Sequence, residues 1–499
     1  MALFIYPWAV LSLFCILPQL STADSSVATC QELNTILGSV VIEQDEPGYA
    51  ALSTEHWSQT ACESPTCIFH PQVVGDLQKV VSLLVTTNTS FAIRSGGHDP
   101  NPGDASINDG VLIDLSNLTR LDYDQDKGVA VLGTGLRWGQ VYSYLEDHNV
   151  TVGGGRAVDV GVGGLTLGCG LTWLADLYGL ACDNVVDFEI VLADGTLAHA
   201  NNSTNTDLFW ALKGGGNNFG VVTAFTYPTY PIKDCWGGFK RYSVDQLPDL
   251  LDAYYQYQTV PNKDPYANLI ILASPTNATD VGAFVGMLYL KPEANPAAFA
   301  PFYDIPTTSD DTTFQTLLEF IAAYPFPEIQ RFHWATSSFT PEQSLYGEVA
   351  DIILNSPDVA AIGSVEAGFM ASTIQPLSAS AIEAGNARGG NALGLSASAQ
   401  TLLAINSGWW SPADDGTVHD AARNIVDSID SASKAKDSYV AYTFMNDASW
   451  DQQVIASYGT DNVSKLKQVQ SKYDPNLVFQ KLVPGGFKLA TPIRTRGAC

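Results

Sequence analysis

The sequence predicts an α+β fold built as two units, and three features of its pattern carry that reading. Residues 68 to about 235 alternate short β-like runs with helical pieces and are dense in glycine and valine. From about 236 to 434 the glycine loops thin out, and longer amphipathic runs mix with strands. The last 65 residues, 435–499, return to the first style. A prior of roughly 100–200 residues per domain agrees that 499 residues exceed one simple core.

The elements follow in order. GVLIDLS at 110–116 and VAVLGTG at 129–135 read as strands, and VVDFEIVLADG at 185–195 as two strand arms around an Asp194-Gly195 turn. DLQKVVSLLVTT at 76–87 and WGQVYSYLEDHN at 138–149 have helical spacing. In the middle, QLPDLLDAYYQYQ and QTLLEFIAAY read as amphipathic helices and ANLIILAS as a strand, giving a second domain of strands backed by helices. The N-terminus is almost wholly apolar over residues 2–20 and exits through Ser21-Thr22-Ala23. It reads as a secretory signal over 1–23, although no Lys or Arg precedes the apolar run; a single membrane anchor is the alternative. Export agrees with seven N-x-[ST] sequons, at Asn88, Asn117, Asn149, Asn201, Asn202, Asn277 and Asn462. Cys15 would leave with the signal. A disulfide from Cys30 to Cys62 or Cys67 is expected among the seven cysteines that remain.

Composition excludes several functions. Charged residues are only 15% of the chain and the formal net charge is −28. Such a chain repels phosphate backbones and anionic membranes, so neither nucleic acid nor membrane is an expected partner. No G-x-G-x-x-G stands at a strand-to-helix turn, and no G-x-x-x-x-G-K-[ST] or G-x-S-x-G occurs. These absences argue against a nicotinamide Rossmann site, a Walker loop and an α/β-hydrolase. The seven histidines are scattered, with no pair at metal-ligand spacing, so no metal site is expected.

Three glycine-rich stretches remain: Ser95-Gly96-Gly97-His98, GGGRAVDVGVGGLTLGCG from Gly153 to Gly170, and KGGGNNFGVVT from Lys213 to Thr223. Bare backbone brings N–H groups close to a ligand, and consecutive N–H groups form a nest for an anion such as a pyrophosphate. One such loop is usually a turn; three in one domain point to a nucleotide.

The order R-S-G-G-H, V-G-V-G-G-L-T-L-G-x-G, Y-G-L-A-C-D-N-V, D-L-F-W-A-L-K-G-G-G-N-N-F-G-V-V-T and a closing Y-D-P-x-x-x-F-x-x-L resembles the berberine bridge enzyme-like flavoproteins. These are FAD-linked oxidases of the vanillyl-alcohol oxidase fold, and the chain is most similar to their secreted fungal members. The resemblance runs from about Cys30 to the C-terminus and is weak in the middle. It implies a PCMH-type FAD-binding domain assembled from 24–235 and 435–499. An inserted substrate domain, an antiparallel sheet backed by helices over 236–434, then covers the flavin ring. It implies FAD held by Arg94, Ser95, Gly96, Gly97, His98, Val160, Gly161, Gly164, Gly168, Gly220, Val222 and Asn446, with His98 bonded covalently to the flavin 8α-methyl carbon. Many relatives add a second bond through a cysteine seven residues before Gly164. That position holds Ala157 here, so a monocovalent flavin is expected. Cys169 reads as a small buried residue. In relatives the doubly linked flavin accompanies open oligosaccharide sites, so its absence points to a smaller, more apolar substrate.

The resemblance also implies the chemistry: hydride transfer from a small organic molecule to flavin N5, a base for the substrate proton, and reoxidation by O2. Tyr178 matches one tyrosine that relatives use. At the other, the N-Y pair, the chain has Asn446-Asp447. Asp447 is then either a base raised by burial or a solvated aspartate before a helix. Asp159 replaces a small hydroxyl residue of relatives and is a candidate functional group. Val160 matches the residue that admits O2. Trp409, Trp410, His333 and Trp334 are candidates for an aromatic substrate wall, with core packing the alternative for each. Three rival functions stay open: a carbohydrate or alcohol oxidase releasing H2O2, a flavoprotein cyclase with little net oxidation, and a structural glycoprotein without chromophore.

Overall fold

The computed structural model describes residues 22–276, 282–323 and 329–489. The expected signal segment up to residue 21, Cys15 and the Asn277 sequon lie outside the described residues. Among the described residues the strands form three sheets.

The first sheet has the order Val41–Glu43, Cys67–Phe69, Val111–Asp114, Phe91–Arg94, and its last three strands are parallel. Parallel strands are covered on both faces and read as continuous apolar runs; Cys67–Phe69 and Val111–Asp114 are buried throughout. The helix Val74–Thr87 covers this sheet with Leu77, Val80, Val81 and Leu84, an i, i+3, i+4, i+7 stripe. Asn88, left-handed at φ 52°, ends the helix and turns the chain into Phe91–Arg94. The disulfide joins Cys30 to Cys67 and fastens the helix Thr22–Leu37 to this sheet, while Cys62 is a free thiol.

The second sheet is antiparallel, ordered Leu121–Asp124, Val129–Gly133, Val221–Pro228, Asp187–Val191, Leu197–Asn201. Its expected hairpin turns at Gly195, φ +79°, where Asp194 accepts from the Thr196 amide and hydroxyl. A second disulfide, Cys169–Cys182, corrects the reading of Cys169 as merely a small buried side chain.

The third sheet has nine antiparallel strands, from Asp234–Tyr242 to Tyr439–Val440. In a strand successive side chains face opposite ways. Leu269 and Ile271 share one core with the helices Leu247–Thr259, Gln343–Asn355 and Asp415–Ala435. Ile270 and Leu272 join the core of the glycine-rich part instead. The sheet is buried on both faces, which is why ANLIILA is unbroken in its hydrophobicity.

After the third sheet the chain returns to the first. The buried Asp474 carboxylate accepts from the Val478 and Phe479 amides, Phe479 packs edge-on against Phe91, and Phe91 N donates to Leu482 O. Beside this junction Arg94 donates to Asp114 at 2.7 Å, with both side chains almost fully buried. Burial alone would raise the Asp114 pKa, but the Arg94 guanidinium outweighs it and holds the carboxyl below its ordinary value. Removing one partner of a buried pair strands the other charge. Arg94→Met is therefore expected to cost about 3–5 kcal/mol in denaturant unfolding near neutral pH. Asp114 is depressed, so the pair's contribution is present above the unfolded carboxylate pKa and fades as pH falls through the folded one. A loss below about 1 kcal/mol would contradict this account.

Candidate functional site

A cavity of about 340 Å³ lies where the glycine loops, the third sheet and the C-terminal segment meet. Ser95 to His98 enter it directly off the strand Phe91–Arg94. Gly96 packs back to back with Gly161: a Cβ on Gly161 would lie 2.5 Å from Gly96 Cα, and one on Gly96 would lie 2.6 Å from Gly161 N. Bare backbone is needed here first for two loops to approach each other. Gly164 differs, since a Cβ there would meet no atom within 4 Å and would project into open space. Gly220 and Val222 add the start of the central strand of the second sheet, and Val160 joins the same lining.

His98 stands at the cavity wall with its side chain 10% exposed. Its ring stacks on Trp57 at 4.3 Å between centroids, and Trp57 stacks in turn on Phe332. Burial drives the imidazole pKa down to about 4; Asp159 pulls it up and Arg137 pushes it down. The ring is therefore neutral near pH 7. Asp159 Oδ2 lies 3.9 Å from His98 Nε2, but its side chain is 47% exposed and is not part of the lining.

The facing wall comes from alternating positions of the third sheet: Ile270, Trp334, Thr373, Gln375, Ala404 and Asn406. Asn406 Nδ2 donates to Thr373 Oγ1 at 2.6 Å. The third wall is Phe444 to Ala448, whose turn Met445–Asp447 projects between loops and sheet. Asn446 Nδ2 donates to Leu165 O at 3.1 Å. Asp447 Oδ2 accepts from Gln375 Nε2 at 2.8 Å, and Gln375 Oε1 accepts from Arg156. Desolvation raises the Asp447 pKa above its ordinary value, while Gln375 and Arg156 pull it back.

The structure brings together Ser95, Gly96, Gly97, His98, Val160, Gly161, Gly164, Gly220, Val222, Asn446 and Asp447. Four of the expected residues lie outside the lining. Arg94 is committed to Asp114, Leu52 O and His56 beneath the sheet and does not line the cavity. Gly168 is needed because a Cβ there would collide with Asn446 Oδ1; it shapes the wall at one remove. Tyr178 is outside the lining, stacked on Tyr230 at 3.7 Å with Arg388 over both rings. Asp159 sits behind His98, as described. Of the aromatic candidates only Trp334 lines the cavity. His333 is buried against Ser449 and His419, Trp409 donates to Asp415 from the helix-side core, and Trp410 is exposed. Sequence reasoning missed Arg156, Gln375 and Asn406. Their signals were a lone cation after three glycines, and polar residues at alternate positions of otherwise apolar strands.

Among the described residues no helix is long and apolar enough to cross a membrane. The FAD binding domain family matches residues 65–201. Over 468 residues the chain is 40% identical to an FAD-dependent monooxygenase of Arthrobotrys oligospora, covering 92% of this chain and 89% of that one. It is 34% identical over 457 residues to the bifunctional solanapyrone synthase of Alternaria solani, covering 90% and 86%. Among solved structures, BBE-like 1 of Physcomitrella patens superposes with a TM-score of 0.75 over 92% of this chain and 100% of that one. At 16% identity this likeness speaks for the fold alone. The cavity fits FAD. Gly164 leaves space that any side chain would fill, bare backbone lines one side, and a neutral imidazole stands at the wall.

Proposed function

The chain belongs to the berberine bridge enzyme-like FAD-linked oxidoreductases, and from that premise we propose that it is a secreted oxidase of a small organic molecule in specialised metabolism. FAD is joined to His98 alone, and O2 is the final electron acceptor. Bound there, FAD would supply a hydride acceptor that O2 can reoxidise. The residues of this chain do the rest. The Gly96, Gly161 and Gly164 backbone holds the cofactor. His98 would be its anchor, the small Val160 side chain in the same lining would leave room for O2, and Asn446 shapes the wall. Trp334 and Ile270 offer an apolar face to the substrate, and Thr373 and Asn406 a polar one. Asp447 takes the substrate proton, a role that needs a group poised within hydrogen-bond reach.

The observation that carries this reading is one cavity lined by both His98 and Asp447, from opposite ends of the sequence. Two disulfides favour an oxidising compartment, and none of the six described sequon asparagines is buried. A cyclase outcome is the second reading. It draws on the carboxylate at the relatives' tyrosine position and on the similarity to a bifunctional synthase.

The test is a visible absorption spectrum before and after acid precipitation, followed by a screen of small phenolic and alcohol substrates with peroxide detection. Flavin colour retained in the pellet and O2-dependent peroxide are expected. Colour in the supernatant sinks the covalent link, colourless folded protein sinks the oxidase, and O2-independent product favours the cyclase.

A further inference from the structure

Three side chains from distant parts of the sequence form a hydrogen-bonded row along the cavity. Arg156 follows Gly153–Gly155, Gln375 lies in the strand Phe369–Leu377, and Asp447 closes the turn Met445–Asp447. All three line the cavity, and Gln375 is 2% exposed. Arg156 Nη2 donates to Gln375 Oε1, and Gln375 Nε2 donates to Asp447 Oδ2 at 2.8 Å.

The order of donors in this row is forced. A guanidinium can only donate. The oxygen of the Gln375 amide must therefore face Arg156, which turns its NH2 onto Asp447. That removes the freedom an amide usually has to flip. A carboxyl oxygen that faces an NH2 group must accept, so Oδ2 carries no proton in either state of Asp447. The proton of the neutral acid has only Oδ1 to occupy. Among the described residues no protein donor reaches Oδ1.

We propose that Gln375, locked by Arg156, is a positioning residue that makes Oδ1 of Asp447 the oxygen through which the substrate proton is exchanged. This rests on the reading of Asp447 as the proton acceptor and adds the atom and what holds it. In the step, the bond between substrate and proton breaks and its electron pair stays on the substrate. A new O–H bond forms at Oδ1, and Asp447 goes from anion to neutral acid. Two titratable or charged groups act on this carboxyl: Arg156 across Gln375 and Tyr442 on its own segment. His98, Asp99 and Asp104 line the same cavity.

The test uses the flavin-loaded protein and needs no substrate. The infrared C=O stretch of protonated Asp447, assigned by its loss in Asp447→Asn, is titrated with pH. The Gln375 amide stabilises the carboxylate, so Gln375→Met is expected to move the midpoint up by about one pH unit. Arg156→Met is expected to move it the same way, and to add less in the Gln375→Met background than alone. If Gln375→Met does not fold, Gln375→Glu keeps the link to Arg156 and sets two carboxyls face to face, with a larger upward shift expected. An unchanged midpoint in the folded Gln375 variant overturns the proposal. Turnover of Asp447→Asn is read separately. If it survives while the midpoint still moves in Gln375→Met, the base reading falls and the proton-bearing oxygen stands. If turnover is lost and the midpoint does not move, only the role of Gln375 falls.

Discussion

Asp447→Asn is expected to lower turnover by about 10²- to 10⁴-fold while the protein keeps its full flavin content. The substitution keeps the size and the acceptor oxygen that meets Gln375 Nε2 but removes the only acidic group in the turn Met445–Asp447. Desolvation raises the pKa of this carboxyl. The base is therefore unavailable at the acid end, and kcat/KM should climb as pH rises through a value above the ordinary carboxylate range. That limb should be missing from the residual activity of the variant. Stability moves the other way. A raised acid favours the fold below its unfolded pKa and loses that contribution as pH rises through the folded value. At neutral pH the asparagine should thus melt no lower than the wild type. Near wild-type turnover across the pH range would remove Asp447 from the chemistry.

The second large effect concerns His98. In His98→Ala, flavin colour should pass almost wholly from the acid pellet to the supernatant, because the variant lacks the imidazole proposed to carry the link. Native protein should still bind FAD, since the Gly96, Gly161 and Gly164 backbone is untouched. The truncation also strips Trp57 of one stacking partner, while Phe332 at 4.1 Å and Trp334 at 5.4 Å stay against it. A stacked aromatic pair is worth about 0.5–1.5 kcal/mol beyond its area, so a small drop in melting temperature is expected. Colour that stays with the pellet in His98→Ala would move the anchor to another residue.

Legibility in the sequence followed the range of the interactions. The hairpin around Gly195 and the helices over 76–87 and 138–149 rest on neighbours in sequence, and their patterns were plain. The Ser95–His98 loop was equally visible as two glycines and an imidazole after a strand. What could not be read was direction. Tyr178 occupies the position implied by the resemblance, yet its ring turns to Tyr230 because that face and the Arg388 guanidinium are there to receive it. Gly168 looked like one more cradle glycine, and only the arrival of Asn446 from far along the chain explains it. The Cys169–Cys182 bridge joins cysteines 13 apart that spacing alone did not single out. Gln375 was hidden in a buried strand, where one polar residue differs from its neighbours only by the partners that reach it from Arg156 and Asp447.

The return of the chain to its beginning has a temporal consequence. Phe444 to Ala448, Gly486 and Phe487 all line the cavity, while Phe479 and Leu482 lock onto Phe91. A ribosome makes these residues after every glycine loop that they wall. Until then the glycine loops stand as an open bowl with one side absent, whatever else has folded. Capture of the cofactor thereby becomes a late event in the life of the molecule, and the tail serves as the door that shuts behind it.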